Sequence, residues 1–300
     1  MCSTCGCSDE AGVRVAGVPL PGLQLIANPN HEHPHDHPHD QGRSHSHPHS
    51  HTPEAAIDAA TATSSETVVL EQSLLARNDL LAARNRGWLD GRDIRAVNVM
   101  SSPGSGKTTL LVRTLADWGQ RMPFAVVEGD QETSIDADRI RATGVPVVQI
   151  NTGAGCHLDA DMLQHALRAL DPDPGCTVLI ENVGNLVCPA LFDLGEAARV
   201  VIVSVTEGDD KPRKYPHMFS AADLVVINKS DLLPYVEFDV ERCANQARQL
   251  NPNVDVLVVS ATTGAGLDGW YDWLTRPPGT NSGDVTPGDT DAQPHSYQTY

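Results

Sequence analysis

A glycine-rich turn carries the clearest chemistry in the sequence. The turn Gly104-Ser105-Gly106-Lys107-Thr108-Thr109 follows an apolar run and precedes a helical pattern. Backbone N–H groups of such a turn attract phosphate, and the helix N-terminus behind them adds a favourable dipole. Lys107 would reach the β- and γ-phosphates, and the Thr108 hydroxyl would bind Mg²⁺. The segment therefore predicts a P-loop, although Ser101 stands where the strict pattern begins with glycine.

A second polar segment indicates which base accompanies the phosphates. Asn228-Lys229-Ser230-Asp231 follows another apolar run, and the form Asn-Lys-x-Asp resembles the base-specificity motif of GTPases. The Asp231 carboxylate would accept hydrogen bonds from guanine N1–H and the exocyclic amine, whereas adenine presents a lone pair at N1. Asn228 and Lys229 would shape the pocket, and Ser260 with Ala261 resembles a second base-contacting loop. The predicted nucleotides are GTP and GDP.

Two further segments end apolar runs and are placed to sense the nucleotide. Asp130 would hold Mg²⁺ through water or orient the attacking water. Glu181 stands where such GTPases usually carry aspartate, and the backbone N–H of Gly184 would sense the γ-phosphate. Catalytic roles are thus predicted for Lys107, Asp130, Glu181 and Gly184. Because no glutamine is placed to orient water as in Ras-type switches, we expect slow intrinsic hydrolysis.

The N-terminal segment is rich in metal ligands. Cys2, Cys5 and Cys7 offer three thiolates, which suit Zn²⁺, Cu⁺ or square-planar Ni²⁺, and the N-terminal amine or a histidine would supply a fourth ligand. A histidine tract follows, and its neutral imidazoles would bind several divalent ions loosely unless the tract is only a solvated linker. The tract comprises His31, His33, His35, His37, His39, His45, His47, His49 and His51.

A third set of ligands lies within the region of alternating strands and helices. Cys156 and His157 follow one predicted strand, and Cys188 follows another. The C-terminal ends of parallel strands converge on one rim, so the three side chains would meet near the switch segments. They are too few to close a metal site, and a two-fold partner would complete it. A buried cysteine pair with a surface histidine explains the spacing equally well, and Cys176 and Cys243 are predicted to be ordinary buried cysteines.

The remaining sequence predicts the scaffold that positions these groups. Apolar, β-branched runs alternate with helical patterns from about Thr67, which indicates a parallel sheet covered on both faces. The predicted strands are 96–100, 124–127, 145–150, 177–180, 200–205, 224–227 and 254–259, and the main predicted helices are about 67–87, 108–118, 158–170, 240–250 and 267–274. The fold class is therefore α/β, a P-loop NTPase with a mainly parallel β-sheet flanked by helices. Residues 1–65 are predicted to form a mostly disordered metal-binding arm and linker, residues 66–276 the P-loop GTPase domain, and residues 277–300 a disordered tail.

Composition excludes some classes of partner. The formal net charge is −18, and no basic patch of the kind that nucleic acid requires is visible. The sequence has neither a run of about 18 apolar residues nor a secretory signal pattern. We therefore expect a cytoplasmic protein without membrane or nucleic-acid partners, whose cysteines stay reduced.

Several segments in order resemble one known family. The N-terminal CxxCGC, the histidine tract, SSPGSGKTTLL, EGDQETSIDADRI, GAGCHLDA, ENVGNLVCPA, EGDDKPRKYPHMF and INKSDLLPY are similar to the HypB family of hydrogenase nickel-incorporation GTPases. The resemblance implies a GTPase of the SIMIBI class, in the HypB/UreG group, that dimerises with GTP. It implies a tight nickel site at Cys2, Cys5 and Cys7 and a weaker Ni²⁺/Zn²⁺ site at Cys156, His157 and Cys188. It also implies work with a HypA-type zinc-binding accessory protein and delivery of nickel to the large subunit of [NiFe]-hydrogenase.

The predicted function is thus that of a GTP-hydrolysing nickel metallochaperone. Two alternatives remain at this point: a urease-type nickel GTPase, and a nickel store whose GTPase domain is incidental. As a mechanistic hypothesis, nucleotide state would move the switch after Glu181 and so alter the distance from Cys188 to the Cys156-His157 pair. GTP and metal affinity would then be linked reciprocally.

Overall fold

The computed structural model describes residues 14–16, 54–131 and 134–276. The chain divides into two compact units, Met1–Gly17 with Arg77–Tyr300, and Val18–Ala76. In the second unit the structure describes only the first part of a long helix. The predictions for the N-terminal cysteines, the histidine tract and the tail 277–300 lie outside the described residues.

The first unit is built on a mainly parallel sheet, as the sequence predicts. Within the described residues the sheet has eight strands in the order β1-β4-β3-β5-β2-β6-β7-β8, and only β1 runs antiparallel to its neighbour, with Val15 opposite Ile150. The strands are β1 Arg14–Ala16, β2 Arg95–Ser101, β3 Phe124–Asp130, β4 Val147–Asn151, β5 Thr177–Glu181, β6 Ala198–Ser204, β7 Leu224–Asn228 and β8 Asp255–Val258.

Helices cover both faces of this sheet because the strands are apolar on both sides. In β2, Val97 and Val99 pack on one side with helices α2 and α8, whereas Ala96 packs on the other side with α1 and α4. The helices are α1 Glu54–Asp90, α2 Lys107–Trp118, α3 Ile135–Arg141, α4 Ala160–Leu170, α5 Lys211–Lys214, α6 Pro216–Ser220, α7 Val240–Leu250 and α8 Leu267–Thr275, with 3-10 turns at Cys188–Ala190 and Ser230–Tyr235. Of the helices that the structure describes, none has both the length and the apolar character needed to cross a bilayer.

Helix α2 is fixed firmly against helix α8. The Trp270 indole is fully buried and donates from Nε1 to Thr114 Oγ1 at 2.8 Å, and the Tyr271 hydroxyl donates to Asp117 Oδ2 at 2.8 Å. A buried tryptophan contributes a large apolar area, and its N–H needs a partner. These contacts hold the helix whose first residue is Lys107.

The C-terminal part of α1 is held by polar side chains. Asn85, buried on α1, donates from Nδ2 to the carbonyl oxygens of Ala160 and Leu194 at 2.8 and 3.0 Å. A Cβ placed on Gly195 would lie 2.4 Å from the Ala82 carbonyl oxygen, so only glycine permits this approach. The loop after β5 therefore packs directly on the helix backbone.

Several elements differ from the predictions made from sequence, among them the short helices α5 and α6, which were not predicted. Helix α1 begins at Glu54 rather than near Thr67, because the segment expected to be a linker is rich in alanine, the strongest helix former. Strand β1 was not expected, since three residues show no period. Helix α3 was also missed, because only Ala137 and Ile140 of its seven residues are buried.

Candidate nucleotide and metal sites

The P-loop connects β2 to α2 and holds its lysine in place. Gly106 has φ +97°, and a Cβ there would lie 2.6 Å from Asn228 Nδ2, so the turn requires glycine. Lys107 Nζ donates to Ser101 Oγ at 2.9 Å. Burial lowers the Lys107 pKa, and the charge of Glu181 opposes that shift. Ser101 stands where the strict motif has glycine, and its hydroxyl holds the lysine head.

A cavity of about 450 Å³ lies above this loop. It is bounded by the P-loop, the ends of β3 and β5, and helix α3. The predicted residues that line it are Gly104, Gly106, Lys107, Thr108, Thr109, Asp130, Glu181, Gly184 and Lys229. The predicted phosphate-binding and switch residues therefore meet in one cavity.

Two buried carboxylates face the cavity beside Thr108. Thr108 Oγ1 donates to Glu181 Oε1 at 2.6 Å, whereas Glu181 Oε2 and Glu128 Oε2 are buried and have no hydrogen-bond partner among the described residues. Burial raises the pKa of Glu181 to about 7 and that of Glu128 to about 8. The charge of Lys107 opposes the shift of Glu181, and the charge of Glu181 adds to the shift of Glu128. Unpartnered oxygens next to a hydroxyl and Asp130 form a donor set that fits Mg²⁺.

The loops predicted to bind the base are tied together by one side chain. Asn228, 1 % exposed, donates from Nδ2 to Ser105 O at 3.0 Å and accepts at Oδ1 from Ala261 N at 3.1 Å. Lys229 Nζ donates to Gly104 O at 2.7 Å, and Ser260 Oγ donates to Asp231 Oδ1 at 2.5 Å. Asn228 thus links the P-loop to the 260–261 loop. Of the residues predicted to contact the base, Lys229 lines the cavity, whereas Asn228, Asp231, Ser260 and Ala261 do not.

Gly184 brings the predicted switch segment against the P-loop. A Cβ placed there would lie 3.1–3.2 Å from three atoms of Pro103. Such a contact is tight, so any larger residue would push the two segments apart. The segment continues from Gly184 to the turn that carries Cys188.

The predicted internal metal ligands also come together. The ligand atoms of Cys156, His157 and Cys188 lie within 4.8 Å of one another, and Cys156 Sγ is 3.6 Å from His157 Nδ1. The His157 ring lies 3.9 Å from that of Phe192, and burial lowers the His157 pKa against the opposing charge of Asp159. A neutral imidazole and two thiols form a donor set that suits Ni²⁺ or Zn²⁺. The grouping favours a shared site over a buried cysteine pair with a separate histidine.

The other two described cysteines differ in their burial from the two in the metal group. Cys176 and Cys243 are buried, as predicted, whereas Cys156 and Cys188 are half-buried. Burial raises the pKa of the Cys176 thiol to about 11 and that of Cys243 to about 12. These two thiols are part of the core.

Three charged residues that line the cavity were not assigned from the sequence. Asp136 and Arg139 reach the cavity from helix α3, and Arg139 donates to Asp136 Oδ1 and Thr109 Oγ1 at 3.2 Å each. Glu128 is the first residue of the segment EGDQETSIDADRI, but the sequence suggested no role for it. The acidic first turn of α3 was the available signal, but nothing in one sequence shows that this helix folds back over the P-loop.

The fold and the loops define a P-loop nucleotide-binding protein, and residues 95–258 match the family model described as CobW/HypB/UreG, nucleotide-binding domain. The chain is 56 % identical over 226 residues to the hydrogenase maturation factor HypB of Azotobacter vinelandii, which covers 75 % of each chain. It is 52 % identical over 221 residues to HypB of Escherichia coli K12, covering 74 % of this chain and 76 % of that one. The crystal structure of Helicobacter pylori HypB in complex with nickel aligns with a TM-score of 0.62 and 41 % identity, over 66 % of this chain and 93 % of that chain. The chain belongs to the HypB family of hydrogenase maturation factors.

Proposed function

We propose that the protein is a GTP-hydrolysing nickel metallochaperone that delivers nickel to the large subunit of [NiFe]-hydrogenase. One observation carries the proposal. A single short segment begins at Glu181 beside Thr108, passes Gly184 against the P-loop and reaches Cys188 in the metal-ligand group. Nucleotide chemistry and metal binding would then share one stretch of backbone. Membership of the HypB family supports hydrogenase maturation as the process that this coupling would serve.

In the proposed reaction the chain binds GTP and positions water for attack on the γ-phosphate. Lys107 leaves Ser101 and donates to the β- and γ-phosphates, while Asp231 accepts from guanine and Asn228 keeps the two loops in register. Asp130 orients the water, and the Gly184 N–H donates to the γ-phosphate. Thr108 and the buried carboxylates would hold Mg²⁺, which neutralises charge on the phosphates when bound.

In the proposed metal site Cys156, His157 and Cys188 provide three ligands for Ni²⁺ or Zn²⁺. Three ligands do not complete a four-coordinate site, so a second copy of the chain in a GTP-dependent homodimer supplies the rest. Cys2, Cys5 and Cys7 would form a separate nickel site on the arm. A HypA-type zinc-binding protein is the proposed accessory partner, in the cytoplasm.

The proposal is tested by measuring Ni²⁺ affinity of the full chain with GDP and with a non-hydrolysable GTP analogue. We expect two different affinities in the wild type and loss of the nucleotide-dependent component in Cys188→Ala. Cys176→Ala is the matched control, because it removes a buried thiol outside the metal group. Lys107→Ala should abolish GTP turnover and stop maturation of a [NiFe]-hydrogenase in a reconstituted extract.

Two outcomes would contradict the proposal. Nickel binding that is blind to nucleotide and survives Cys188→Ala would indicate a nickel store. Maturation that continues at the normal rate with Lys107→Ala would show that GTP turnover has no part in delivery.

A further inference from the structure

A buried asparagine joins the nucleotide site to the metal ligands. Asn182 follows Glu181 directly, is 1 % exposed and uses both ends of its amide. Its Oδ1 accepts from Leu158 N at 3.1 Å and from Val183 N at 2.9 Å. Leu158 is the residue after His157. The amide oxygen therefore connects the backbone beside Glu181 to the backbone beside His157, a predicted metal ligand.

The other end of Asn182 is fixed to the centre of the sheet. Its Nδ2 donates to Asn98 Oδ1 at 3.2 Å, and Asn98 Nδ2 donates in turn to Glu196 Oε1 at 3.1 Å. Asn98 is fully buried on β2. Glu196 also accepts from Leu194 N and Arg199 Nε, each at 2.7 Å. Because every amide end has a partner, rotation of Asn182 would leave buried polar atoms unpaired.

Packing holds the same point from the opposite side. Leu158 is fully buried, and a Cβ placed on Gly129 would lie 2.8 Å from its Cγ and Cδ2. Gly129 stands between Glu128 and Asp130 at the end of β3. The backbone next to His157 is thus held by Asn182 at its N–H and by β3 at its side chain.

The Cys188 side of the metal group is anchored less firmly. Val187 is 53 % exposed and Leu191 is 51 % exposed, although Leu186 and Pro189 on the same turn are buried. The direct link from this segment to the other ligands is long, since Asn185 Nδ2 lies 3.4 Å from Cys156 O. Segments with few buried contacts open most readily. The Cys156-His157 half of the metal group is therefore held by a buried polar network, whereas the Cys188 half is held by Asn185, which is partly exposed, and by the burial of Leu186 and Pro189.

We infer that Asn182 is a positioning residue that fixes the Cys156-His157 pair to the Glu181 end of the nucleotide site, so that only Cys188 moves relative to the pair when Gly184 responds to the nucleotide. The inference rests on the proposed function. It names the residue that would let the nucleotide change the distance from Cys188 to the Cys156-His157 pair. Without Asn182, the pair would lose its fixed position relative to the sheet, and the distance from Cys188 to the pair would no longer be set by the nucleotide.

The test uses the full chain with Cys2→Ser, Cys5→Ser and Cys7→Ser, and Ni²⁺ buffered by a chelator. Thiolate-to-nickel charge-transfer absorption then reports internal thiols and is blind to the histidine tract. Three further changes are compared in this background: Asn182→Leu removes both amide ends, Asn182→Asp keeps the oxygen that accepts from Leu158 N, and Asn98→Ala removes only the anchor. Asn251→Leu is the matched control, since its amide donates to Ala222 O at 2.8 Å away from both sites.

The measured quantity is the ratio of Ni²⁺ affinities with the GTP analogue and with GDP, which for coupled sites is commonly about 5–150-fold. We expect Asn182→Leu to bring the ratio close to one and to lower Ni²⁺ affinity about tenfold, the size of effect seen when an outer-shell partner is lost. Asn251→Leu should keep the wild-type ratio, whereas Asn182→Asp keeps the bond from Leu158 N but loses the anchor to Asn98 and should reduce the ratio. Asn98→Ala should reduce it, and this variant decides the test if Asn182→Leu does not fold.

The outcomes separate the inference from the proposed function. A coupled wild type whose ratio persists in folded Asn182→Leu, or in Asn98→Ala if the former is unfolded, overturns the inference and leaves the proposed function intact. A ratio of one in the wild type overturns both.

Discussion

Replacing Asn228 by alanine should destabilise the nucleotide-free protein more than the loss of one typical hydrogen bond would. The side chain is 1 % exposed and joins two loops through Ser105 O and Ala261 N. A typical hydrogen bond contributes about 1 kcal/mol net, but a buried partner that loses its bond costs about 1–3 kcal/mol. Because Ser105 and Ala261 are themselves buried, we expect a loss of about 2–4 kcal/mol in the free energy of unfolding.

The assay is urea unfolding of the nucleotide-free chain in the presence of a chelator, followed by fluorescent GDP binding. Asn251→Ala is the control, since it also loses a long-range bond from an asparagine, to Ala222 O, but at a half-buried position. Water replaces that partner, so its cost should be about 1 kcal/mol. GDP affinity should fall in Asn228→Ala and stay unchanged in Asn251→Ala. Equal stability loss in the two variants would refute the linking role of Asn228.

Three further predictions concern the base, the core and the carboxylates. Asp231→Asn should weaken GDP binding at least tenfold and favour xanthosine diphosphate, because an amide donates where the carboxylate accepts; competition with the two nucleotides measures this. Trp270→Phe should lower the free energy of unfolding by about 1–3 kcal/mol, since Thr114 loses its buried donor. Without metal or nucleotide, unfolding free energy should fall as pH rises from about 4.5 to about 8, because the unfolded chain releases protons that folded Glu181 and Glu128 retain. Glu128→Gln should flatten the upper part of that pH profile.

The sequence correctly predicted the elements whose apolar pattern is regular and the groups that lie at the ends of parallel strands. Apolar runs at both faces predicted the parallel strands, and the bounds of α7 agree residue for residue. Strand ends of a parallel sheet share one rim, which is why Cys156 and Cys188 were expected to meet although 32 positions separate their numbers (188 − 156). The roles given to individual site residues remain predictions until the variants are measured.

Sequence reasoning failed where structure depends on tertiary contacts. Arg139 reaches the cavity only because α3 packs beside α2, and no period reveals that. Asn98 lies within β2 and Asn182 directly follows β5. The hydrogen bond between their side chains joins residues 84 positions apart, so the sequence alone does not reveal it. Ser101 departs from the strict P-loop motif, and only the structure shows that its hydroxyl accepts from Lys107 Nζ.

The difference in burial among the cysteines gives the protein a built-in selectivity toward electrophiles. Thiolate is the reactive form, and the raised pKa values of Cys176 and Cys243 leave almost none of it at neutral pH. Among the described residues, we therefore expect alkylating reagents to react first with the half-buried Cys156 and Cys188, the pair that would hold the cargo. In a chain whose N-terminal cysteines have been replaced, the mass added by a brief alkylation counts empty metal sites directly. The same exposure makes these two sulfurs the first internal ones that peroxide would damage, so oxidative injury would strike cargo binding before it touched the fold.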